Sequence, residues 1–295
     1  MTQWSVTEPV KLAPTEPVTR LRVRVVGGAV NVVGTDESTA RVDIAEIEGP
    51  PLIVSQEGST LTVTYEDLHW KGVLKWLDHR SHKRRAVVSV AVPAGAEVEV
   101  GAVTAETVVS GIRGRTEVRG VTGSTTLVGL SGPVRAESVS GALEAQSVTG
   151  ALRVNSVTGD VTVIEGSGSA VRAETVSGDM VLDLDPAPAE APPADIRLTS
   201  VSGEVAIRLP HPADARVEAS TASGAVSNAF EDLRVGGDWG TKSITGTLGA
   251  GRGTLRATTV SGSIALLRRP EPAEDPEAPP AGPADPTAPA SGKVL

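Results

Sequence analysis

A glycine recurs every nine residues through the centre of the chain, and this repeat is the strongest chemical signal in the sequence. Calcium-binding nonapeptide repeats have the same period, but they need recurring aspartates that supply oxygen ligands. Only Asp160 and Asp179 directly follow a repeat glycine as aspartates, whereas Ala142, Ala151 and Glu204 occupy that place in other units. A lone carboxylate cannot supply the six or more oxygens that calcium takes. The glycines therefore predict a structural repeat and no metal site.

Two other glycine-rich stretches could bind phosphate, and both have the wrong context for it. In "GGDWGTKS" at 236–243, Thr241 separates the second glycine from the lysine, which a P-loop needs immediately after that glycine. "GTLGAGRG" at 246–253 is explained by backbone turns alone. The chain also lacks cysteine, a G-x-S-x-G elbow and an H-E-x-x-H motif. We expect no catalytic residue, no cofactor and no enzymatic activity.

Composition restricts the core, the partners and the location of the protein. One phenylalanine, one tyrosine and four tryptophans among 295 residues leave valine, alanine, leucine and isoleucine to fill the core. A net charge of −9 disfavours nucleic acid, because binding its phosphates requires an excess of lysine and arginine. The N-terminus has no apolar run typical of a signal peptide, and no stretch of about 18 apolar residues occurs anywhere. We therefore expect a cytoplasmic protein.

Each nine-residue unit predicts one short strand followed by one corner. After the glycine, small or branched residues alternate with polar ones, as in Ala151–Ser156, which is typical of a half-buried strand. Glycine accepts positive φ at the corner, and the valine two residues earlier is expected to pack inward. The predicted fold is all-β: a single-chain stacked β-solenoid, β-helix-like, with two strands per coil favoured and three also compatible with the spacing. The predicted repeat corners are Gly114, Gly123, Gly132, Gly141, Gly150, Gly159, Gly178, Gly203, Gly224, Gly246 and Gly262.

The remaining segments give the domain organisation. Residues 1–19 are expected as an N-terminal extension, and residues 20–103 as a less regular N-terminal β cap. Residues 104–269 contain the solenoid repeats. Residues 270–295 are rich in proline, alanine and glutamate without an apolar pattern, which predicts a disordered tail.

Residues 68–85 interrupt the β pattern with a basic amphipathic insert. Their apolar residues follow helical spacing, so the segment is either a helical plug on the solenoid end or a surface that contacts an anionic membrane or an acidic partner. The candidate partner or membrane surface comprises Trp70, Lys71, Lys75, Trp76, Arg80, Lys83, Arg84 and Arg85.

The chain resembles the bacterial β-strand-repeat family labelled "putative adhesin", a domain of unknown function. The resemblance is carried by "VPAGAEVEV" at 92–100, by the serial V-[ST]-G units, and by "GTLGAGRGTLRATTVSGSIALLRR" at 246–269. It implies a right-handed stacked β architecture and a non-enzymatic role, linked in some relatives to cell-envelope stress regulation. It implies no catalytic residue.

Three functions follow as hypotheses from different classes. The first is a non-enzymatic scaffold or binding module with an unknown protein partner, peripheral contact with an anionic membrane and no nucleic acid. The second is a structural protein whose solenoids join end to end into filaments. The third, which is less favoured, is a carbohydrate-active β-helix enzyme.

The first testable prediction is that metal does not stabilise the fold. Millimolar calcium or a chelator should leave the melting temperature unchanged, because a ligand that binds only the native state raises stability by mass action. Differential scanning fluorimetry measures this directly. A calcium-dependent rise in melting temperature would restore the nonapeptide interpretation.

Overall fold

The computed structural model describes residues 2–65, 84–167, 170–186, 192–237 and 240–269. These residues form strands that belong to two sheets, one of fourteen strands and one of twelve. No helix occurs among them, so none that could cross a membrane. The prediction of an all-β stacked solenoid is confirmed.

The strands are numbered in chain order. The N-terminal part contains β1 (Thr2–Val6), β2 (Val10–Leu12), β3 (Arg20–Val25), β4 (Gly27–Thr35), β5 (Arg41–Glu48), β6 (Leu52–Glu57), β7 (Thr60–Tyr65) and β8 (Arg85–Pro93). The central part contains β9 (Glu97–Ala102), β10 (Glu106–Ser110), β11 (Thr116–Gly120), β12 (Thr125–Val128), β13 (Val134–Ser138), β14 (Leu143–Gln146), β15 (Leu152–Ser156), β16 (Val161–Gly166), β17 (Ala170–Ser177), β18 (Met180–Leu184), β19 (Asp195–Ser202) and β20 (Val205–Leu209). The C-terminal part contains β21 (Ala215–Thr221), β22 (Val226–Asn228), β23 (Leu233–Gly236), β24 (Lys242–Leu248), β25 (Gly253–Thr259) and β26 (Ile264–Arg268).

From β9 to β20 the chain alternates between the two sheets, so each coil contributes one strand to each. All pairs between successive coils are parallel, and Thr116, Val134 and Leu152 lie directly opposite one another at intervals of eighteen residues. The favoured count of two strands per coil is therefore confirmed. Coils lengthen only where the chain inserts extra residues, as in the proline-rich stretch at 185–195 between β18 and β19.

The N-terminal end differs from the predicted organisation. Strands β3 and β4 form a regular parallel coil beside β9 and β10, and β7 and β8 pair on its other side. The antiparallel strands β6 and β5 follow, and β1 and β2 are the outermost strands. The expectation of a separate extension at 1–19 is therefore wrong, because β1 and β2 complete the edges of the two sheets.

The C-terminal end has a similar change of order. The last coil, β25 and β26, lies between β19–β20 and β21–β22 and is parallel to both neighbours. The hairpin of β23 and β24 then adds antiparallel strands to the fourteen-stranded sheet. Gly246 lies within β24, opposite Val217 and Leu233, so the prediction that it forms a repeat corner is wrong.

A single hydrophobic core runs along the inside of the stack. It consists mainly of valine, leucine, isoleucine and alanine from the inward positions of both sheets, as the composition predicted. The exceptions are Met180 and Tyr65, and Tyr65 is completely buried at the end of β7. Burial raises the pKa of its phenol, an effect that the charge of Arg84 opposes.

The repeat glycines are needed mainly because neighbouring coils approach closely at the corners. A Cβ on Gly150 would lie 1.9 Å from the carbonyl oxygen of Gly132, and a Cβ on Gly132 would lie 2.3 Å from that of Gly114. Gly141 has a φ of +124°, but Gly150 has no such left-handed backbone. The glycine pattern thus predicted the right residues at these corners, but positive φ explains only some of them.

Left-handed backbone also occurs at the other corner of the coil, where the chain leaves the twelve-stranded sheet. Three residues with this backbone directly follow a strand of the twelve-stranded sheet, namely Gly111, Gly129 and Ser147, and the fourth, Glu165, is the penultimate residue of β16. Their φ values lie between 53° and 68°. Two of these four residues are not glycine. Their spacing was therefore hidden from a search for glycines alone.

The predicted insert at 68–85 lies outside the described residues except for its last two. Arg84 precedes β8 and Arg85 is its first residue, so Arg85 belongs to a strand and not to the insert. The predicted tail at 270–295 also lies outside the described residues.

The corner geometry predicts a large difference between two glycine-to-alanine substitutions. Gly150→Ala should lower the free energy of unfolding by about 2 kcal/mol or more, because the added methyl group meets a backbone carbonyl that cannot move without separating two coils. Gly95→Ala is the matched control, since a Cβ at that position would have no neighbouring atom within 4 Å. It should change stability by less than about 1 kcal/mol. Urea unfolding of the two variants measures both, and equal losses would contradict the close-approach explanation.

Candidate functional site

At three corners of the fourteen-stranded sheet, the first serine or threonine of the corner closes the turn from inside, whereas the buried Ser138 hydroxyl has no hydrogen-bond partner among the described residues. The Ser156 hydroxyl accepts a hydrogen bond from the amide of Gly159 at 3.1 Å. Thr259 accepts from Gly262 at 3.0 Å, and Thr221 accepts from Gly224 at 2.9 Å. These hydroxyls are buried, so the turn satisfies polar groups that would otherwise be unpaired. This position is required by the fold.

The second serine or threonine of the corner joins one coil to the previous coil. The Thr158 hydroxyl donates to the carbonyl of Val139 at 3.1 Å, and the Ser261 hydroxyl donates to that of Val201 at 3.2 Å. The backbone amides of Thr158 and Ser261 donate to the same carbonyls, at 2.9 Å in each case. This position is also explained by the fold.

The valine between them is exposed, and the fold gives no reason for an apolar side chain there. The expectation that it packs inward is correct for Val148, which is 2% exposed at the opposite corner, but wrong for this corner. We call the following residues, one per coil on the fourteen-stranded sheet, the valine row: Val139 (49% exposed), Val157 (43%), Val176 (50%), Val201 (46%) and Val260 (52%).

A second row on the same outward face consists entirely of arginine. Its members lie directly opposite one another on β13, β15, β17, β19 and β25: Arg135, Arg153, Arg172, Arg197 and Arg256. Neighbouring strands are about 4.8 Å apart, so this arginine row extends over roughly 19 Å along the solenoid. Glu117 and Glu218 occupy the same position on the strands at either end.

The arginine row is only partly neutralised by neighbouring acids. Arg135 donates to Glu137 at 2.8 Å, and this hydrogen bond is the largest cause that lowers the pKa of the Glu137 carboxyl. Arg197 pairs with Asp195 at 3.1 Å, and Arg256 pairs with Glu218 at 3.4 Å.

The centre of the row differs from its ends. Within the described ranges, the side chains of Arg153 and Arg172 make no hydrogen bond or ion pair. Two outward neighbours of Arg153 carry no charge. Asn155 lies on the same strand, and Ala151 directly precedes that strand. The centre of the arginine row therefore presents two adjacent guanidinium groups that form no ion pair with a described residue, although Glu174 lies two residues along β17 from Arg172.

The opposite face of the solenoid is different in character. Its corresponding outward row on the twelve-stranded sheet contains no basic residue: Thr126, Glu144, Thr162, Val181, Ala206 and Ala265. Arg208, in a neighbouring row, is paired with Asp183 at 3.1 Å. Among the described strands of these coils, a continuous row of arginines is thus found on the fourteen-stranded sheet and not on the corresponding row of the twelve-stranded sheet.

A groove of about 340 Å³ begins beside the valine row. Val121, Val139 and Val157 line one side, and Glu137 and Asn155 lie on the other. Gly101 also lines the groove and stands in the outward row that Arg119 and Glu137 occupy on the next strands. No cluster of three or more potential metal ligands occurs in the described part of the chain.

Of the predicted partner surface, only Arg84 and Arg85 can be placed. Arg84 lies over the ring of Tyr65, 5.7 Å from its centroid, and Arg85 is 3.8 Å from Glu46. Both are at the N-terminal end and not on the arginine row. The other predicted residues lie outside the described ranges: Trp70, Lys71, Lys75, Trp76, Arg80 and Lys83.

The arginine row was missed by sequence reasoning although its signal was present. On five strands an arginine directly follows the first buried aliphatic residue of the alternating pattern. The stretches are "VRAES", "LRVNS", "VRAET", "IRLTS" and "LRATT". The register between β19 and β25 could not be read from the chain, because β25 is not the next coil in sequence.

Removal of the unpaired charges should stabilise the protein. Like charges directly opposite on neighbouring strands repel each other. Arg153→Gln combined with Arg172→Gln should therefore raise the free energy of unfolding by about 0.5–2 kcal/mol at low salt. The gain should shrink in high salt, since screening weakens the repulsion.

The control makes the same charge change away from the row. Arg41→Gln combined with Arg113→Gln removes ion pairs to Glu37 and Asp36 and should produce no gain. Urea unfolding at both salt concentrations measures the difference. A loss of stability in the row variant at low salt would show that its charges are already compensated.

The solved structures to which the chain shows similarity include three bacterial proteins. The putative adhesin from Parabacteroides distasonis is 12% identical, the match covers 90% of this chain and 97% of that one, and the TM-score is 0.44. The putative lipid binding protein from the same organism is 12% identical, with 89% and 98% covered and a TM-score of 0.41. The putative cell adhesion protein from Clostridium sporogenes is 12% identical, with 89% and 100% covered and a TM-score of 0.23.

No curated protein matches the chain. The family described as Toastrack DUF4097 matches residues 19–267, from the residue before β3 to the penultimate residue of β26. The match includes every coil of the solenoid and both rows on its outward face. The chain therefore belongs to the Toastrack DUF4097 family.

Proposed function

We propose that this protein is a non-enzymatic binding module whose ligand surface is the outward face of the fourteen-stranded sheet from β13 to β25. The observation that carries the proposal is the arginine row, with Arg153 and Arg172 unpaired at its centre. Five guanidinium groups in register repel one another in the free protein. A negatively charged ligand relieves that repulsion on binding.

The repeat itself does not require these residues. The corner hydroxyls and glycines are explained by hydrogen bonds and close approach, whereas an outward strand position accepts many polar or β-branched residues. Arginine nevertheless occupies the same outward position on five neighbouring strands. Residues that disfavour the free fold and serve no contact within it are typical of a functional surface.

A binding module is favoured over a filament by the ends of the stack. The edge strands of the twelve-stranded sheet, β2 and β22, have only three residues each. The edges of the other sheet are β1, with five residues, and β23, with four. Short edge strands offer little backbone for pairing with another copy.

A carbohydrate-active enzyme is disfavoured by the state of the outward carboxylates. Glycoside hydrolysis uses two carboxylates that flank one bond. Glu117 and Glu137 are both paired with Arg119, and Glu218 is paired with Arg256. The link to cell-envelope stress regulation that the family resemblance implies forms part of the same proposal, with binding as the signal.

Retention of material from a native cell-envelope extract on the immobilised full chain tests the proposal. The wild-type protein should retain a component that the Arg153→Gln and Arg172→Gln double variant loses, because that variant removes the unpaired charges. The Arg41→Gln and Arg113→Gln double variant should retain the component as the wild type does. Equal retention by all three proteins, or by none, would contradict a ligand surface on this face.

A further inference from the structure

We propose that the arginine row binds a linear phosphate polymer, extended along the solenoid axis with successive phosphates on successive coils. This inference rests on the proposed function and specifies its ligand. It starts from the register of the row, in which Arg135, Arg153 and Arg172 lie directly opposite one another on β13, β15 and β17. Arg197 and Arg256 continue the same line on β19 and β25.

The dimensions of the row select a chain over a single ion. Its five guanidinium groups follow one another at about 4.8 Å over roughly 19 Å, whereas one phosphate can contact only neighbouring members. A ligand that neutralises the whole row must repeat its negative charge along a line. Each contact is individually modest, but contacts within one chain act together because the second becomes intramolecular once the first has formed.

The basic surface is also narrow, which separates a chain from a membrane. Glu137 and Glu174 lie in the outward row on the valine side, and Asp195 lies on the other side. Glu117 and Glu218 end the row in line with it. A flat anionic bilayer would meet these acids as well as the arginines, whereas a single extended chain can follow the arginines alone.

The absence of aromatic side chains on the strands of this face favours phosphate over sugar carboxylates and nucleic acid. Arginine matches phosphate with two parallel hydrogen bonds. Single-stranded nucleic acids are usually held by aromatic side chains on which bases stack. The strands β9, β11, β13, β15, β17, β19 and β25 contain no aromatic residue. The recognition available on this face is therefore repeated charge, without a platform for sugar rings or bases.

The valine row borders the proposed site on one side. It lies four residues further along each strand than the arginine row, or about 13 Å at 3.3 Å per residue. Its exposed methyl groups cannot compete with the guanidinium groups for phosphate. The row that contains Glu137 and Glu174 lies between the arginines and the valines, so these acids limit the charged chain on this side and the valine row forms an apolar strip beyond them.

Binding of inorganic polyphosphate to the full chain tests this inference by isothermal titration calorimetry at low salt. Long-chain polyphosphate should bind at least about tenfold more tightly, per phosphate, than triphosphate, and orthophosphate should bind weaker still. The Arg153→Gln and Arg172→Gln double variant should lose about tenfold or more in affinity. Its slope of log K against log salt should be shallower by roughly 1.4, for two lost phosphate contacts.

Controls identify the alternatives. The Arg41→Gln and Arg113→Gln double variant should bind polyphosphate as the wild type does, and urea unfolding should show that both variants are folded. Polygalacturonate binding as tightly as polyphosphate would overturn the assignment to phosphate. Sedimentation with anionic vesicles, lost in the row variant, would replace the polymer with a membrane surface.

The outcome also separates this inference from the proposed function. If orthophosphate binds as tightly as the chain, the row is a set of independent anion sites and the polymer is wrong. If polyphosphate does not bind but the row variant still loses retention of envelope material, the binding face stands and the ligand class is wrong. If the row variant keeps both its binding of polyphosphate and its retention of envelope material, the proposed function and the proposed ligand are both contradicted.

Discussion

The close approach of successive coils at their glycine corners is the constraint on which the rest of the structure depends. At Gly262 a Cβ would lie 1.7 Å from the carbonyl oxygen of Gly203, and the same contact is repeated along the stack. Hydroxyls of the flanking serines and threonines hydrogen-bond across these contacts and fix each coil on the one before. Since the coils cannot slip, every outward position becomes a straight row. A charged residue that occurs once per coil therefore becomes part of a line of charge along the solenoid.

Much of the architecture could be predicted from the sequence, because the repeat has a fixed period and a simple alternation. A nine-residue unit of strand and corner and an aliphatic core follow from residues such as those of Ala151–Ser156. The eighteen-residue coil with two strands was favoured, but the spacing alone also allowed three strands per coil. The orientation of the corner valines could not be predicted, since Val148 and Val157 have the same local sequence but lie at opposite corners with opposite exposure. The pattern of a single unit carries no information on which corner it forms.

The order of the end coils and the place of Arg256 in the arginine row were beyond sequence reasoning for a related reason. Both depend on pairing between segments far apart in the chain: Arg22 lies beside Glu99, and Arg197 lies beside Arg256. Local alternation predicts that each segment is a strand but does not say which strand is its neighbour. The antiparallel position of Gly246 was missed in the same way, because its triplet resembles those of the true corners.

The insertion of the last coil between earlier ones has a consequence for how the molecule bears load. Strands β25 and β26 are hydrogen-bonded on both sides, to β19 and β20 and to β21 and β22. A tension applied at the C-terminus therefore cannot peel the last coil of the chain away one hydrogen bond at a time. It acts along two parallel ladders at once and must shear them together. At the opposite end, β3 and β4 are held between two coils in the same manner. The N-terminus itself differs, because β1 is an edge strand that pairs only with β6. The solenoid therefore resists unravelling from its C-terminus more than from its N-terminus.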